Sequence, residues 1–256
     1  MRRFDSFMFN NELDLLECRL TELYRAVDAF VIVEADVDHQ GHPKDLNYRN
    51  EQARFSQWSD KIVYITASGL PTVEDDPGVW AREHAQREFI AKGLAELGCG
   101  PDDIVLQSDA DEIPRAVVAR NVNPKGDNFI GMHQEGHFWC IDWDYPPGWN
   151  GTVAARVETA LKFGFGPMRD RRNFATKMPN AGWHFSWLGG KEAWEYKVGT
   201  FCHPEVAKRV EQGERYRREG IHIDHIRMRP CEVDKTYPKW MQQKENVPES
   251  WLRPRG

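Results

Sequence analysis

The stretch Ile104-Val105-Leu106-Gln107-Ser108-Asp109-Ala110-Asp111-Glu112-Ile113-Pro114 carries an apolar run straight into three carboxylates. The run Ile104–Leu106 reads as a strand covered on both faces, and Pro114 stops the extended segment sharply. In open α/β sheets ligands bind beyond the carboxyl ends of the strands, so the residues that follow are placed for chemistry. In extended backbone, residues i and i+2 point the same way, which lets Asp109 and Asp111 present oxygens to one point. A hard divalent cation takes such ligands, commonly one or two carboxylates plus substrate phosphates. That arrangement holds a nucleoside diphosphate and neutralises it as a leaving group.

Two further Asp-x-Asp triplets compete, Asp36-Val37-Asp38 and Asp142-Trp143-Asp144. The first also follows a strong strand. Glu112, as a third carboxylate, and the stop at Pro114 favour 109–111.

Outward from that stretch, Ala29–Val33 and Ile62–Ile65 repeat the continuous apolar signal, and Phe4–Phe9 is a short aromatic-rich run. Leu13, Leu16, Leu20 and Leu23 follow Asn10-Asn11-Glu12 at helical spacing, which predicts an amphipathic helix over 12–25. A second long helix is expected from Trp80 to Leu97, ended by Gly98. Its apolar stripe, Ile90, Leu94 and Leu97, continues backwards onto Arg87, Gln86 and Glu83, so the buried face turns polar toward the helix start. A helix start favours anions, and an arginine there suits a phosphate or a carboxylate. A structural ion pair between Arg87 and an acid of the neighbouring strand fits the same spacing. Strands alternating with helices predict an α/β fold: three layers around a mostly parallel central sheet.

Beyond residue 115 the signals weaken. Phe129–Trp143 reads as one or two strands, and residues 144–182, rich in Pro, Gly, Asn and Arg, as loops of active-site character. Glu192–Val198 and Pro204–Arg218 are helix candidates, and the tail from Pro230 is expected to be irregular. In Gly182-Trp183-His184-Phe185-Ser186 a single histidine sits between aromatics. It reads either as a satisfied core residue or as a nitrogen ligand, since manganese accepts mixed oxygen and imidazole ligation. Aromatic residues make up 12% of the chain, enough for a sugar-stacking platform and equally for a core.

The chain has 256 residues and a formal charge of −6, which allows one large domain or two small ones and excludes wholesale disorder. No apolar stretch is long enough to span a membrane. Five cysteines without a C-x-x-C pair point to a reducing, cytoplasmic setting. Charge is uneven: residues 1–168 carry −12 and residues 169–256 carry +6. Such a basic segment either neutralises the acidic part or meets a polyanion.

Taken together, four ordered stretches resemble glycosyltransferase family 17. They are Phe9 to Leu23, Phe30–Glu34 with His39–Lys44, Asp102 to Pro114, and Gly182–Ser186. The resemblance implies a GT-A-like nucleotide-diphosphosugar transferase fold and an inverting transfer from a UDP-sugar. On it, residues 1–205 form the catalytic domain, split near 115 into nucleotide-sugar and acceptor halves, and 206–256 form a basic extension packed on it. It implies that Asp109 and Asp111 take the metal and diphosphate role with Mn2+ or Mg2+, with His184 completing the shell. Asn11, Glu12 and Glu34 would lie near the nucleotide, and Lys44 and Arg87 near phosphates. No stretch of these residues reads as the membrane anchor expected of the animal members, which leaves the acceptor open: a glycan, another hydroxyl, or a hydroxylated DNA base. Inversion needs one general base. Glu192, just after Gly189-Gly190, is the first candidate, with Glu135 and Asp142 as alternatives. Rival readings are a haloacid dehalogenase-type phosphatase and a non-catalytic carbohydrate-binding protein.

Overall fold

Every residue of Ala29–Ala35 is buried, because this strand is sandwiched between two helical layers. Its side chains alternate between them. Phe30 and Ile32 face Leu16, Leu20 and Leu23 of the helix Leu13–Leu23, while Val31 and Val33 face Ile90 and Leu94. The computed structural model describes residues 1–75, 79–200 and 206–254. Its strands are β1 (Arg3–Phe9), β2 (Ala29–Ala35), β3 (Ile62–Ala67), β4 (Ile104–Asp109), β5 (Glu112–Pro114), β6 (Ile130–Phe138), β7 (Trp143–Arg156), β8 (Thr176–Met178), β9 (Gly182–Ser186) and β10 (Arg229–Pro230). They form one sheet ordered β3-β2-β1-β4-β7-β6-β9-β5, with β10 added to β7 and β8 to β6.

The α/β architecture is the one expected. The four strands β3-β2-β1-β4 are parallel, and the second half is mixed. There β7 runs antiparallel to β4 and β6, β9 parallel to β6, and β5 antiparallel to β9. From β1 the chain crosses to β2 on one side, and β4 lies on the other. The crevice between the carboxyl ends of β1 and β4 is therefore the switch point, where ligands of open α/β sheets bind.

The single helix expected over 80–97 is two, Val79–Glu88 and Ile90–Glu96. At Phe89 the ladder tightens: the amide of Phe89 donates to the carbonyl of Gln86, and that of Lys92 to the carbonyl of Phe89. Gly93 lies so close to β2 that a Cβ there would fall 2.3 Å from Val31 Cγ1. Residues 144–182 are more regular than their composition suggests, since β7 and β8 and the helices Val157–Phe163 and Phe165–Asp170 occupy most of them. Pro146 and Pro147 hid β7. The register passes from Gln134↔Trp149 to Gly136↔Tyr145, so the prolines sit in a bulge opposite Glu135, where they interrupt no regular ladder.

The C-terminal residues cover two patches of the sheet's second half. Val206, Val210, Tyr216 and Met228 pack on Trp139, Trp187 and Trp194. Tyr237, Trp240, Met241 and Trp251 pack on Leu15, Ile113, Trp183 and Phe185. The boundary expected at 205, the helix start at Pro204, and Cys202 lie outside the described residues. Among the described residues the helix candidate 204–218 is two short helices, Ala207–Val210 and Gly213–Glu219, and the tail holds the short helix Lys239–Gln242. Cys18, Cys99, Cys140 and Cys231 form no disulfide, and no described helix is long and apolar enough to cross a membrane.

Candidate active site

Met8 pairs with Asp109, so Asn10-Asn11-Glu12 leaves β1 beside the turn that follows β4. That turn is shaped from below by Arg19. Its guanidinium is wholly buried, grips Asp5 through two bonds of 2.6 and 2.7 Å, and reaches Ser108 Oγ at 2.5 Å. The remaining nitrogen donates to the carbonyls of Asp109, Ala110 and Glu112 at 2.9, 3.3 and 2.8 Å. Three carbonyls converging on one cation bend the chain so that the Asp109, Asp111 and Glu112 side chains leave in different directions.

Asp109 is held by two arginines, Arg87 Nη2 at 2.8 Å from Oδ1 and Arg169 Nη2 at 2.6 Å from Oδ2. Burial raises the Asp109 carboxyl, but Arg169, Arg87 and Arg172 outweigh it and hold the group well below the usual carboxylate range. Glu112 is fully buried. It accepts from Arg169 at 2.6 and 2.8 Å, from Trp149 Nε1 at 2.6 Å and from the Asp109 amide at 3.0 Å. Arg87 also bonds Glu83 one helical turn earlier at 2.6 Å, and its bond to Asp109 at the end of β4 is the ion pair with a strand acid that the spacing allowed. Its Nη1 is nonetheless buried without a partner, a donor left over for an anion. The polar face expected at this helix start is real: Arg82, Glu83, Gln86 and Arg87 are all buried.

Asp111 points elsewhere. Its Oδ1 lies 3.6 Å from His184 Nε2 and its Oδ2 3.3 Å from Lys197 Nζ. Burial raises this carboxyl, yet Lys197 and His184 pull it down to about 2. His184 stacks on Trp149 with centroids 4.5 Å apart, and its Nδ1 is buried without a partner, unlike a satisfied core histidine. Glu12 borders the same cluster. Burial raises its carboxyl, with Lys197 opposing and Asp111 adding, and its Oε2 accepts the amides of Asn10 and Asn11 at 3.1 and 3.0 Å. Among the described residues no three His, Cys, Asp or Glu side chains converge to hold a metal unaided. The donor set does fit an ion completed by phosphate oxygens: one carboxylate, one imidazole, and Asp109 at the rim with 37% of its side chain exposed.

Glu34 ends β2 as a buried hub. It accepts from Tyr64 OH at 2.8 Å, from the Tyr48 amide at 3.2 Å and from Lys44 Nζ at 3.4 Å. Lys44 is thus tied to Glu34. Beside them lies a cavity of 460 Å³ lined by Asp38, Pro43, Lys44, Asp45, Asn47, Tyr196 and Thr200. Asn10 borders it, bonded to Asn47 Nδ2 and to Tyr196 OH.

The rival triplets are committed to structure. Asp38 accepts the amides of Gln40 and His42 within its own loop, Asp142 is bound twice by Arg253, and Asp144 by Arg229. Of the three base candidates, Asp142 is therefore a tether for the C-terminal segment. Glu135 pairs with Arg115 at 2.5 Å beside Trp183, on the sheet face opposite His184. Glu192 is exposed at the start of the helix Lys191–Thr200. The basic C-terminal segment is dispersed: Arg169 belongs to the site, Arg215 pairs with Glu219, and Arg217 binds the carbonyls of Ser250 and Leu252. Of the aromatic residues around β6, β7 and β9, Phe138, Trp139, Trp143, Tyr145, Trp183 and Trp187 are core, and Trp149 is half-buried beside His184. Arg169, Lys197 and Arg19 escape a reading of the sequence. Arg19 had one available signal, a charge inside the apolar face of the helix Leu13–Leu23.

The sequence model of glycosyltransferase family 17 matches residues 1–222. The β-1,4-mannosyl-glycoprotein 4-β-N-acetylglucosaminyltransferases of Homo sapiens and Mus musculus are 26% identical to this chain over 227 and 228 residues. Each match covers 77% of this chain and 42% of the relative, so the chain spans less than half the length of these curated relatives. Among solved structures, an active-site mutant of LgtC superposes with a TM-score of 0.38 at 11% identity, over 69% of this chain and 72% of the other. The inositol-1-phosphate CTP transferase from T. maritima gives 0.39 at 10% identity, over 79% and 98%.

Proposed function

Because the chain belongs to glycosyltransferase family 17, we propose that it transfers a sugar, N-acetylglucosamine or another hexose, from a UDP-sugar to an acceptor hydroxyl with inversion. One observation carries the reading. Arg87, Arg169 and Lys197 converge on Asp109 and Asp111 at the switch point of the sheet. A leaving diphosphate needs such a set of fixed positive charges, which stabilise it without reorganising. The cavity beside Glu34 and Tyr196 suits the nucleoside, and Trp149, stacked on His184 with Arg172 over its ring, walls the diphosphate site.

In this reading the acceptor oxygen bonds to the anomeric carbon as the bond from that carbon to the diphosphate oxygen breaks on the opposite face. The acceptor proton passes to a carboxylate, for which Glu192 is the candidate not engaged elsewhere. Arg87 Nη1 and Lys197 meet phosphate oxygens, and Arg169 keeps Asp109 ionised. Mn2+ or Mg2+, held by Asp111 and His184 together with phosphate oxygens, would supply further neutralisation of the leaving group. The acceptor is a glycan or another hydroxyl compound; Arg169, Arg215 and Arg217 of the basic segment are engaged within the protein.

Calorimetric titration of UDP tests the reading. Binding is expected, and Mn2+ is expected to strengthen it. Absence of UDP binding with and without the metal would remove the proposal, and a carbohydrate-binding module would give that result. Glu192→Gln is expected to lower kcat about 10²-fold or more while leaving UDP affinity unchanged. An unaltered kcat would take the base role from Glu192.

A further inference from the structure

Lys197 reaches the site from a helix held at both ends. The helix Lys191–Thr200 follows Gly189 and Gly190, whose φ values of +100° and +82° let the chain turn sharply out of β9. Trp194 anchors it: the side chain is buried against Trp139, and its indole N–H donates to the Trp187 carbonyl. The far end is tied to the loop after β2. The His39 amide donates to the Thr200 carbonyl at 3.1 Å, and Gln40 Nε2 donates to the Val198 carbonyl at 2.8 Å. The backbone of Lys197 is thus fixed, and its four-carbon stem is the movable part. Its ammonium stands 3.3 Å from Asp111 Oδ2, 3.4 Å from Ser186 Oγ and 5.3 Å from the Trp187 ring centroid.

We propose that Lys197 competes with the divalent cation for Asp111, and that the ammonium displaced by the metal becomes a ligand of the donor's diphosphate. The inference rests on the donor-site reading above. Asp111 offers two oxygens, one facing His184 and one facing Lys197. An ion bridging Asp111 and His184 and an ammonium on the same carboxylate repel each other strongly, because the Asp111 and His184 side chains are both largely buried. The imidazole is fixed on β9 and the carboxylate in the turn between β4 and β5, whose carbonyls Arg19 holds, whereas the lysine stem can swing. A diphosphate completing the metal's shell brings new negative oxygens to the same rim, and the displaced ammonium finds its partner there. Lys197 therefore acts with opposite sign on the two ligands: it weakens metal binding to the free protein and strengthens nucleotide binding to the metal-loaded one. A lysine with a merely structural role has no such split.

The experiment measures Mn2+ binding without nucleotide, from the electron paramagnetic resonance signal of the free ion, and then UDP binding at saturating Mn2+. Lys197→Met, and Lys197→Gln as a second substitution of different polarity, are each expected to bind Mn2+ about tenfold tighter than the wild type and UDP about tenfold more weakly. Lys197→Arg is expected to stay near wild type in both. Asp111→Asn is expected to abolish Mn2+ binding. If Asp111→Asn abolishes it but both neutral Lys197 variants bind Mn2+ no tighter, the inference falls and the donor site stands. Tighter Mn2+ binding with unchanged UDP affinity overturns the diphosphate half. Mn2+ binding untouched by Asp111→Asn overturns the metal site of the donor-site reading itself, and no Mn2+ binding by either neutral Lys197 variant overturns the inference.

Discussion

Asp111→Ala is expected to abolish sugar transfer and leave the protein folded. The residue lies at the meeting point of His184 and Lys197, and the other two carboxylates of its triplet point away: Asp109 is turned to Arg87 and Arg169, and Glu112 is enclosed by Arg169 and Trp149. Loss of the group that orders charge around the leaving diphosphate costs on the order of 10²–10³-fold in kcat, more if the metal is lost with it. The structural cost is smaller. The Asp111 carboxyl falls from 3.8 to about 2 on folding. A depressed carboxylate contributes stability above its unfolded value and loses that contribution as pH falls through its folded value. The term is about 2 kcal/mol at neutral pH and fades between roughly pH 4 and pH 2. It is well inside the 5–15 kcal/mol of an ordinary domain. Turnover with the best UDP-sugar, read beside a thermal melt, checks both halves, and the variant's stability should fall less steeply below pH 4 than the wild type's. Unchanged turnover would take Asp111 out of the reaction.

Arg19→Met is expected to have the largest effect on stability, about 3–5 kcal/mol by urea denaturation, because it leaves Asp5 charged, buried and alone. It also frees three carbonyls of the turn 109–112, so UDP affinity should fall in whatever fraction remains folded. Lysine cannot form the bidentate grip on Asp5 while reaching those carbonyls, so Arg19→Lys should rescue little. The double variant Arg19→Met with Asp5→Leu should recover part of the loss, since it removes both charges together. A double variant no more stable than the single one would show that the carbonyls, not the ion pair, carry the effect.

What could be read from the sequence follows from which interactions are local. Ala29–Val33 and Ile104–Leu106 announce themselves because strands covered on both faces are apolar at every position, and the helix Leu13–Leu23 because one stripe repeats at helical spacing. The polar continuation onto Glu83, Gln86 and Arg87 was legible for the same reason. β7 was hidden by Pro146 and Pro147, whose tolerance depends on a bulge set by the pairing with β6. In the site, Asp109, Asp111 and Glu112 were legible as a triplet at a strand end, but their division of labour was not. It is imposed by Arg19, Arg169 and Lys197, which lie some 60 to 90 positions away in sequence. No spacing rule reaches across that distance. Glu112 and Pro114 already favour 109–111 over the Asp36-Asp38 and Asp142-Asp144 triplets, and the loop amides and arginines that occupy Asp38, Asp142 and Asp144 add a reason that no sequence pattern carries.

The central pairing of β1 with β4 also fixes an order of events on the ribosome. β2 emerges soon after β1 and can cover one of its edges, but β4 begins at Ile104, about 70 residues past the end of β2. At roughly 5–20 residues per second that interval lasts about 3–14 s. Throughout it the growing chain carries an unpaired strand edge holding Phe4, Phe7 and Phe9, the kind of template on which other chains add. That edge stays open to misassembly until β4, and with it Asp109, has been synthesised.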